Sequence, residues 1–220
     1  MKKGLTELVF ILDKSGSMGG LENDTIGGYN SVLEKQKGLE GECRITTALF
    51  DNNYELLHDR IDIRAVSPIT KNEYCVGGST ALIDAIGRTI NKIVGVQKNT
   101  AEDYRAEKVM FVIITDGEEN ASREFTSEKV KALIERQKEK YRWEFVFLGA
   151  NIDAVETARH FGISADRAQN YHADAEGSRV VYESLARATA AFREAAVCES
   201  LADDWDAEIK ADFKNRKKRR

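Results

Sequence analysis

"LVFILDKSGSMGG" (residues 8–20) carries five apolar residues into an aspartate and then sets two serines among glycines. An apolar run without polar alternation reads as a strand buried on both faces, as in a parallel sheet covered by helices. Asp, Ser and Gly beyond such a strand make an ordinary turn. They also deliver one carboxylate and two hydroxyls to the mouth of a buried strand, and the rest of the chain decides between these readings.

Working outward, residues 25–37 place Ile26, Tyr29, Val32 and Leu33 at three- and four-residue steps, which predicts a helix. Residues 43–50 and 54–58 read as strands joined through Asp51-Asn52-Asn53, a short hairpin whose second strand is expected at a sheet edge. Beyond Pro68 and Gly77-Gly78, a helix is expected from Thr80 to Val94, burying Leu82, Ile86, Ile90 and Ile93. The most apolar run, 109–114, ends in Thr115-Asp116-Gly117. A helix over 127–140 and a strand over 144–148 follow, then a short helix capped by Asp153 and closed by Gly162. A strand near 169–172 and a long helix from Gly177, carrying Val181, Leu185 and Phe192, complete the pattern.

Strands alternating with helices predict an α/β fold: a Rossmann-like, doubly wound, mostly parallel sheet with helices on both faces. In such sheets the binding crevice opens beyond the carboxyl ends of the strands, where strand order reverses. The two most apolar strands are the candidates for the centre, and both end in aspartate, Asp13 and Asp116.

The 220 residues suit one domain with an appendage, expected as 1–197 and a helical extension with basic tail over 198–220. A composition of 42% hydrophobic and 32% charged residues with one proline is that of a globular chain. Three cysteines, Cys43, Cys75 and Cys198, form no CxxC pair, which argues against a disulfide framework or zinc site. Met1-Lys2-Lys3 begins like a signal peptide, but the run 8–12 is too short for one or for a membrane span. A cytoplasmic protein without membrane contact is expected. The net charge of −4 hides a tail, 214–220, with six basic residues; the first 213 residues therefore carry −10. An acidic body does not suggest nucleic-acid binding. The tail is either solvated or touches RNA, DNA or an acidic partner.

Two carboxylates at the mouth of an apolar sheet repel each other and are costly to desolvate. A phosphate site would place glycine amides and a basic side chain there instead. A bound cation tolerates both charges. Ser15 and Ser17 lie two and four residues past Asp13, where a loop curling back aims both hydroxyls at one point, and Thr80 offers a third. All five donors are hard oxygens, suited to Mg²⁺, Mn²⁺ or Ca²⁺.

Asp13-Lys14-Ser15-Gly16-Ser17 resembles the DxSxS motif of von Willebrand factor type A (vWA) domains. Thr80 in GGSTAL and Asp116 in TDG resemble the other two parts of the same set, in family order. The likeness covers roughly residues 5–195. It implies an antiparallel edge strand and a metal-ion-dependent adhesion site (MIDAS). Ser15 and Ser17 would ligate directly, Asp13 and Asp116 would orient waters and balance charge, and Thr80 would engage most closely with ligand bound. Mg²⁺ takes six oxygens, and neutral hydroxyls leave it electrophilic, so a partner's Asp or Glu can replace a bound water. Lys14 could neutralise an aspartate by folding inward; alternation points it outward.

Met18, Ser79, Glu118 and Glu119 are candidates for a partner-binding rim; loop packing for Met18 and solvation for the glutamates are the plainer alternatives. A haloacid-dehalogenase-type phosphohydrolase would need a carboxylate where Ser15 stands. A GxSxG elbow on Ser17 would need glycine there, and GGSTAL lacks a P-loop lysine. None of His58, His160 and His172 is placed beside Ser17 by the sequence, and ordinary structural roles are expected for them. The expected function is therefore non-enzymatic: divalent-metal-dependent protein binding, resembling stand-alone intracellular bacterial vWA proteins of tellurite-resistance and stress operons. A nucleic-acid role through the tail and a Mg²⁺-dependent phosphohydrolase are the alternatives.

Overall fold

The apolar runs pair as doubly buried strands require. A computed structural model describes residues 1–196 and 199–217. Cys198, the expected boundary at 197/198 and Lys218-Arg219-Arg220 lie outside the described residues. In chain order the elements are β1 (Lys2–Asp13), α1 (Glu22–Lys37), β2 (Glu42–Phe50), β3 (Tyr54–Asp62), α2 (Leu82–Asn99) and β4 (Ala106–Thr115). Then come α3 (Ser127–Tyr141), β5 (Glu144–Ala150), α4 (Ala154–His160), β6 (Ala168–Tyr171), α5 (Ala175–Glu194) and α6 (Ala207–Lys217).

The strands form one sheet in the order β3-β2-β1-β4-β5-β6. All neighbours pair in parallel except β3, which turns back on β2 and forms the edge. The β2–β3 register shifts twice, between Ile45 and Thr47 and between Thr47 and Ala48, and Arg60 takes a left-handed φ of 52° beside this irregular stretch. Such bulges twist and bend an edge.

Alternation along β1 sends Leu8, Phe10 and Leu12 to the face covered by α1 and α5, and Val9 and Ile11 to the face covered by α2 and α3. Each of these five side chains is at most 1% exposed. Burying one contributes about 1.5–3 kcal/mol, and a slip of one residue would exchange the two sets. The chain leaves β1 for β2 on one side and later enters β4 on the other, so strand order reverses between β1 and β4. Leu12 lies opposite Ile114, and Asp13 therefore emerges beside Thr115-Asp116.

Several boundaries differ from the sequence expectation. β1 begins at Lys2, because pairing to Ala106 draws the polar residues 2–4 into the sheet. α1 begins at Glu22, with Glu22 and Asp24 in a first turn where the helix dipole favours acids. α2 begins at Leu82, which leaves Thr80 in the loop. The weakly patterned C-terminal stretch supplies Leu201, Trp205 and Ile209 to the core face of α1 and α5, and Trp205 Nε1 donates to Asp166 O at 2.8 Å. No helix among the described residues is long and apolar enough to cross a membrane.

Candidate metal centre

Asp13 closes β1 and is fully buried. Its Oδ1 accepts the Ser15 N–H at 2.7 Å, and its Oδ2 accepts the Thr115 hydroxyl at 2.5 Å. The carboxylate thereby folds residues 13–15 back over the strand end. A 3-10 turn, Gly16–Met18, follows and brings Ser15 Oγ and Ser17 Oγ to 3.1 Å from each other. Ser17 Oγ donates to Asp116 Oδ1 at 2.6 Å. Asp116 is 2% exposed, and its other oxygen, Oδ2, is buried without a hydrogen-bond partner among the described residues.

Thr80 arrives from the loop before α2. Its N–H donates to Asn120 Oδ1 at 2.9 Å, and its carbonyl accepts the N–H groups of Asn120 and Ala121. Ser17 Oγ and Thr80 Oγ1 both crowd Gly117: a Cβ there would stand 2.9 and 3.3 Å from them. The loops are tied by their backbones, with Gly16 N–H donating to Gly78 O at 3.1 Å and Gly77 N–H to Lys14 O at 2.8 Å. Gly78 has φ +75°, a backbone conformation that favours glycine. Lys14 points away from the cluster and pairs with Glu55 of β3 at 2.6 Å.

Burial raises both carboxyls above their ordinary values. For Asp13 the hydrogen bonds from Thr115 and Ser15 oppose it, while the charge of Asp116 adds to it; for Asp116 the hydrogen bond from Ser17 opposes it. Two acids and three hydroxyls thus converge, and no basic side chain among the described residues bonds either acid. No group of three or more His, Cys, Asp or Glu side chains able to hold a metal occurs among the described residues; this cluster owes most of its donors to hydroxyls. The orphaned Asp116 Oδ2, the cradle above Gly117 and the all-oxygen donor set fit a hard dication. The cluster opens into a shallow cleft of about 530 Å³ walled by Asp24, Asn151 and Asp174.

The structure brings Asp13, Ser15, Ser17, Thr80 and Asp116 together. Of the rim candidates, Ser79 and Glu118 are exposed. Met18 requires a correction: it is 1% exposed and belongs to the core, because the 3-10 turn that aims the serines at the crevice drives the next side chain beneath the loop. Glu119 requires another. Its Oε1 accepts the N–H groups of Ala121 and Ser122, and its Oε2 accepts the Ile83 N–H and the Ser122 hydroxyl. With both oxygens engaged, it binds the loop after β4 to the start of α2 instead of facing a partner. Sequence reasoning also missed Tyr74, whose hydroxyl donates to Asp13 O, and Asn120. It missed Asp84 as well, which accepts three N–H groups from residues 123–125. Thr115 alone among these had a signal, lying beside Asp116 at the strand end. His58 bonds Thr47 through Nδ1 at 3.0 Å, and His160 and His172 belong to α4 and to the loop after β6. Cys43 is buried, which pushes its thiol up to about 12, and Cys75 is exposed; both are free.

No family model and no curated protein matches this sequence. Solved structures do match. A von Willebrand factor type A protein from Catenulispora acidiphila aligns with TM-score 0.58 at 13% identity, over 84% of this chain and 42% of that one. The manganese-loaded TRAP protein of Plasmodium vivax aligns with TM-score 0.58 at 17% identity, over 82% and 73%. Proximal thread matrix protein 1 from the mussel byssus, with a zinc-occupied MIDAS motif, aligns with TM-score 0.56 at 13% identity, over 84% and 46%. This chain has the von Willebrand factor type A fold. The likeness is one of fold, and the chain spans less than half the length of the Catenulispora and mussel proteins. The vWA architecture accounts for the antiparallel β3 at the edge and for the crevice between β1 and β4.

Proposed function

We propose that this chain is a divalent-metal-dependent protein-binding module whose partner presents an Asp or Glu carboxylate. The observation that carries the reading is the buried Asp116 Oδ2, which has no partner among the described residues, on a carboxylate whose other oxygen accepts the Ser17 hydroxyl. Ser15, Ser17 and Thr80 supply neutral oxygens, Asp13 and Asp116 supply charge, and Mg²⁺, Mn²⁺ or Ca²⁺ suits the set. When bound, the cation offers a Lewis-acidic position to an incoming carboxylate oxygen. Asp13, held by Ser15 N–H and Thr115, keeps the serine loop in place, and Ser79 and Glu118, adjacent in sequence to Thr80 and Gly117, are exposed and free to meet a partner.

A binding role is preferred to an enzymatic one because the Ser17 hydroxyl bonds the Asp116 carboxylate and lies against the Ser15 hydroxyl, with no histidine bonded to either serine among the described residues. Free Cys43 and Cys75 accord with a reducing, cytoplasmic setting, where a bacterial regulatory or stress role is the reading we favour. Calorimetric titration with Mn²⁺ tests the metal: wild type should bind, and Asp116→Asn, which keeps shape but removes charge, should bind at least about tenfold more weakly. Equal binding by both would remove the metal from the account. Capture of partners in Mg²⁺ and in chelator, with Thr80→Ala as control, tests the recognition. A partner retained throughout would show that recognition bypasses the cluster.

A further inference from the structure

The end of the sheet opposite the metal centre contains a second cavity, of about 390 Å³, between the last turn of α2, the chain entering β4 and the C-terminal end of α3. Its volume falls within the roughly 300–1,000 Å³ typical of small-ligand sites. The ten residues of β4 separate it from Asp116 by roughly 30 Å, so it is independent of the proposed metal chemistry.

Its walls are Val94, Ala106 and Trp143. The Trp143 ring is stacked on Phe111 at 5.6 Å, which fixes its orientation. Gln137 lines the cavity, is 2% exposed, and makes no side-chain hydrogen bond among the described residues. Gln97 also lines it, and its Nε2 is buried without a partner. Elsewhere the fold satisfies a buried glutamine: Gln36 Nε2 donates to Ala186 O and to Thr189 Oγ1. The Gln97 amide therefore awaits an acceptor that the described protein does not supply, and Gln137 presents a second amide to the same cavity. The mouth is cationic. Lys98, Arg105 and Arg136 line it and form no ion pair among the described residues; they outnumber the one acid of the lining, Glu107, which accepts the Gly4 N–H, and the overall charge is −4.

We propose that this cavity binds a small planar aromatic carboxylate. Its ring lies against Trp143, its carboxylate meets the cations at the mouth, and the amides of Gln137 and Gln97 bond its polar edge. Guanidinium–carboxylate bonds are charge-assisted and directional, and aromatic burial supplies the remaining affinity.

The test is an NMR titration of the isotope-labelled full chain with naphthoate, following the indole N–H signals of its two tryptophans, Trp143 and Trp205. The expected result is a saturable shift of Trp143 with Trp205 unmoved. Arg136→Glu, Gln137→Leu and exchange of naphthoate for neutral naphthalenemethanol should each weaken binding about tenfold or more. Arg136 is exposed, so its replacement remains decisive even where Gln137→Leu disturbs folding. The proposal is overturned by an unmoved Trp143 in millimolar naphthoate, by equal binding of the neutral alcohol, or by binding that Arg136→Glu leaves intact.

Discussion

Replacing Gly117 with alanine should uncouple metal affinity from folding. The added Cβ would stand 2.9 Å from Ser17 Oγ and 3.3 Å from Thr80 Oγ1, closer than ordinary contact allows. Ser17 is exposed, so its hydroxyl can rotate away, but that breaks its 2.6 Å bond to Asp116 Oδ1. That lost bond to a charged group, about 1.5–3 kcal/mol, is a cost to the metal-free fold, whereas metal affinity falls because two of the five donor oxygens are out of place. Displacing Ser17, together with a nudged Thr80, should weaken Mn²⁺ binding roughly ten- to a hundredfold, at about 1.4 kcal/mol per factor of ten. Gly117 has no left-handed φ, so the backbone tolerates alanine, and Tm in chelator should fall by no more than roughly 2–4 °C per kcal/mol lost. Calorimetry gives the affinity and scanning calorimetry the Tm. Gly27→Ala on α1, where a Cβ meets nothing within 4 Å, is the control. Unchanged Mn²⁺ affinity in Gly117→Ala would refute the convergence of these hydroxyls on one ion, as would an equal loss in the control.

Met18→Ala should cost about 2–5 kcal/mol of stability in urea unfolding, as for other truncations of buried methionine; a negligible change would return Met18 to the rim. Glu7, wholly buried in β1, pairs through Oε2 with Arg60 at 2.9 Å while Oε1 has no partner among the described residues, and burial raises its carboxyl despite Arg60. Because the folded value lies above the unfolded one, its contribution is fully present below the unfolded value and is lost as pH rises through the folded value. Denaturation of wild type and Glu7→Gln at pH values spanning that window should show wild type losing ground as pH rises; a flat or reversed difference would contradict the assignment.

The site was legible in the sequence wherever its chemistry lies at a strand end. Asp13 and Asp116 each terminate an apolar run, and a doubly wound sheet brings the ends of its central strands together. Thr80 was legible through its glycine pair. The supporting residues were not, because Tyr74, Asn120 and Glu119 act across 61, 40 and 36 positions of sequence, a separation that periodicity does not encode. Met18 was misjudged because one 3-10 turn reverses the facing of consecutive side chains. The polar start of β1 shows the same limit: pairing with Ala106 overrides local composition.

The bulged margin at β3 has a consequence for how other proteins can approach. Glu55, Asp59 and Arg60 place charge along that strand, Lys92 clamps Asp59 at 2.8 Å, and the kink at Arg60 interrupts the ladder a newcomer would extend. At the far margin β6 is only four residues long and packs against α4 and α6. Neither border offers a straight, unguarded template for strand addition. Self-assembly into ribbons is thereby discouraged, and any protein that approached these margins would have to be held by side chains instead of by a continuous backbone ladder.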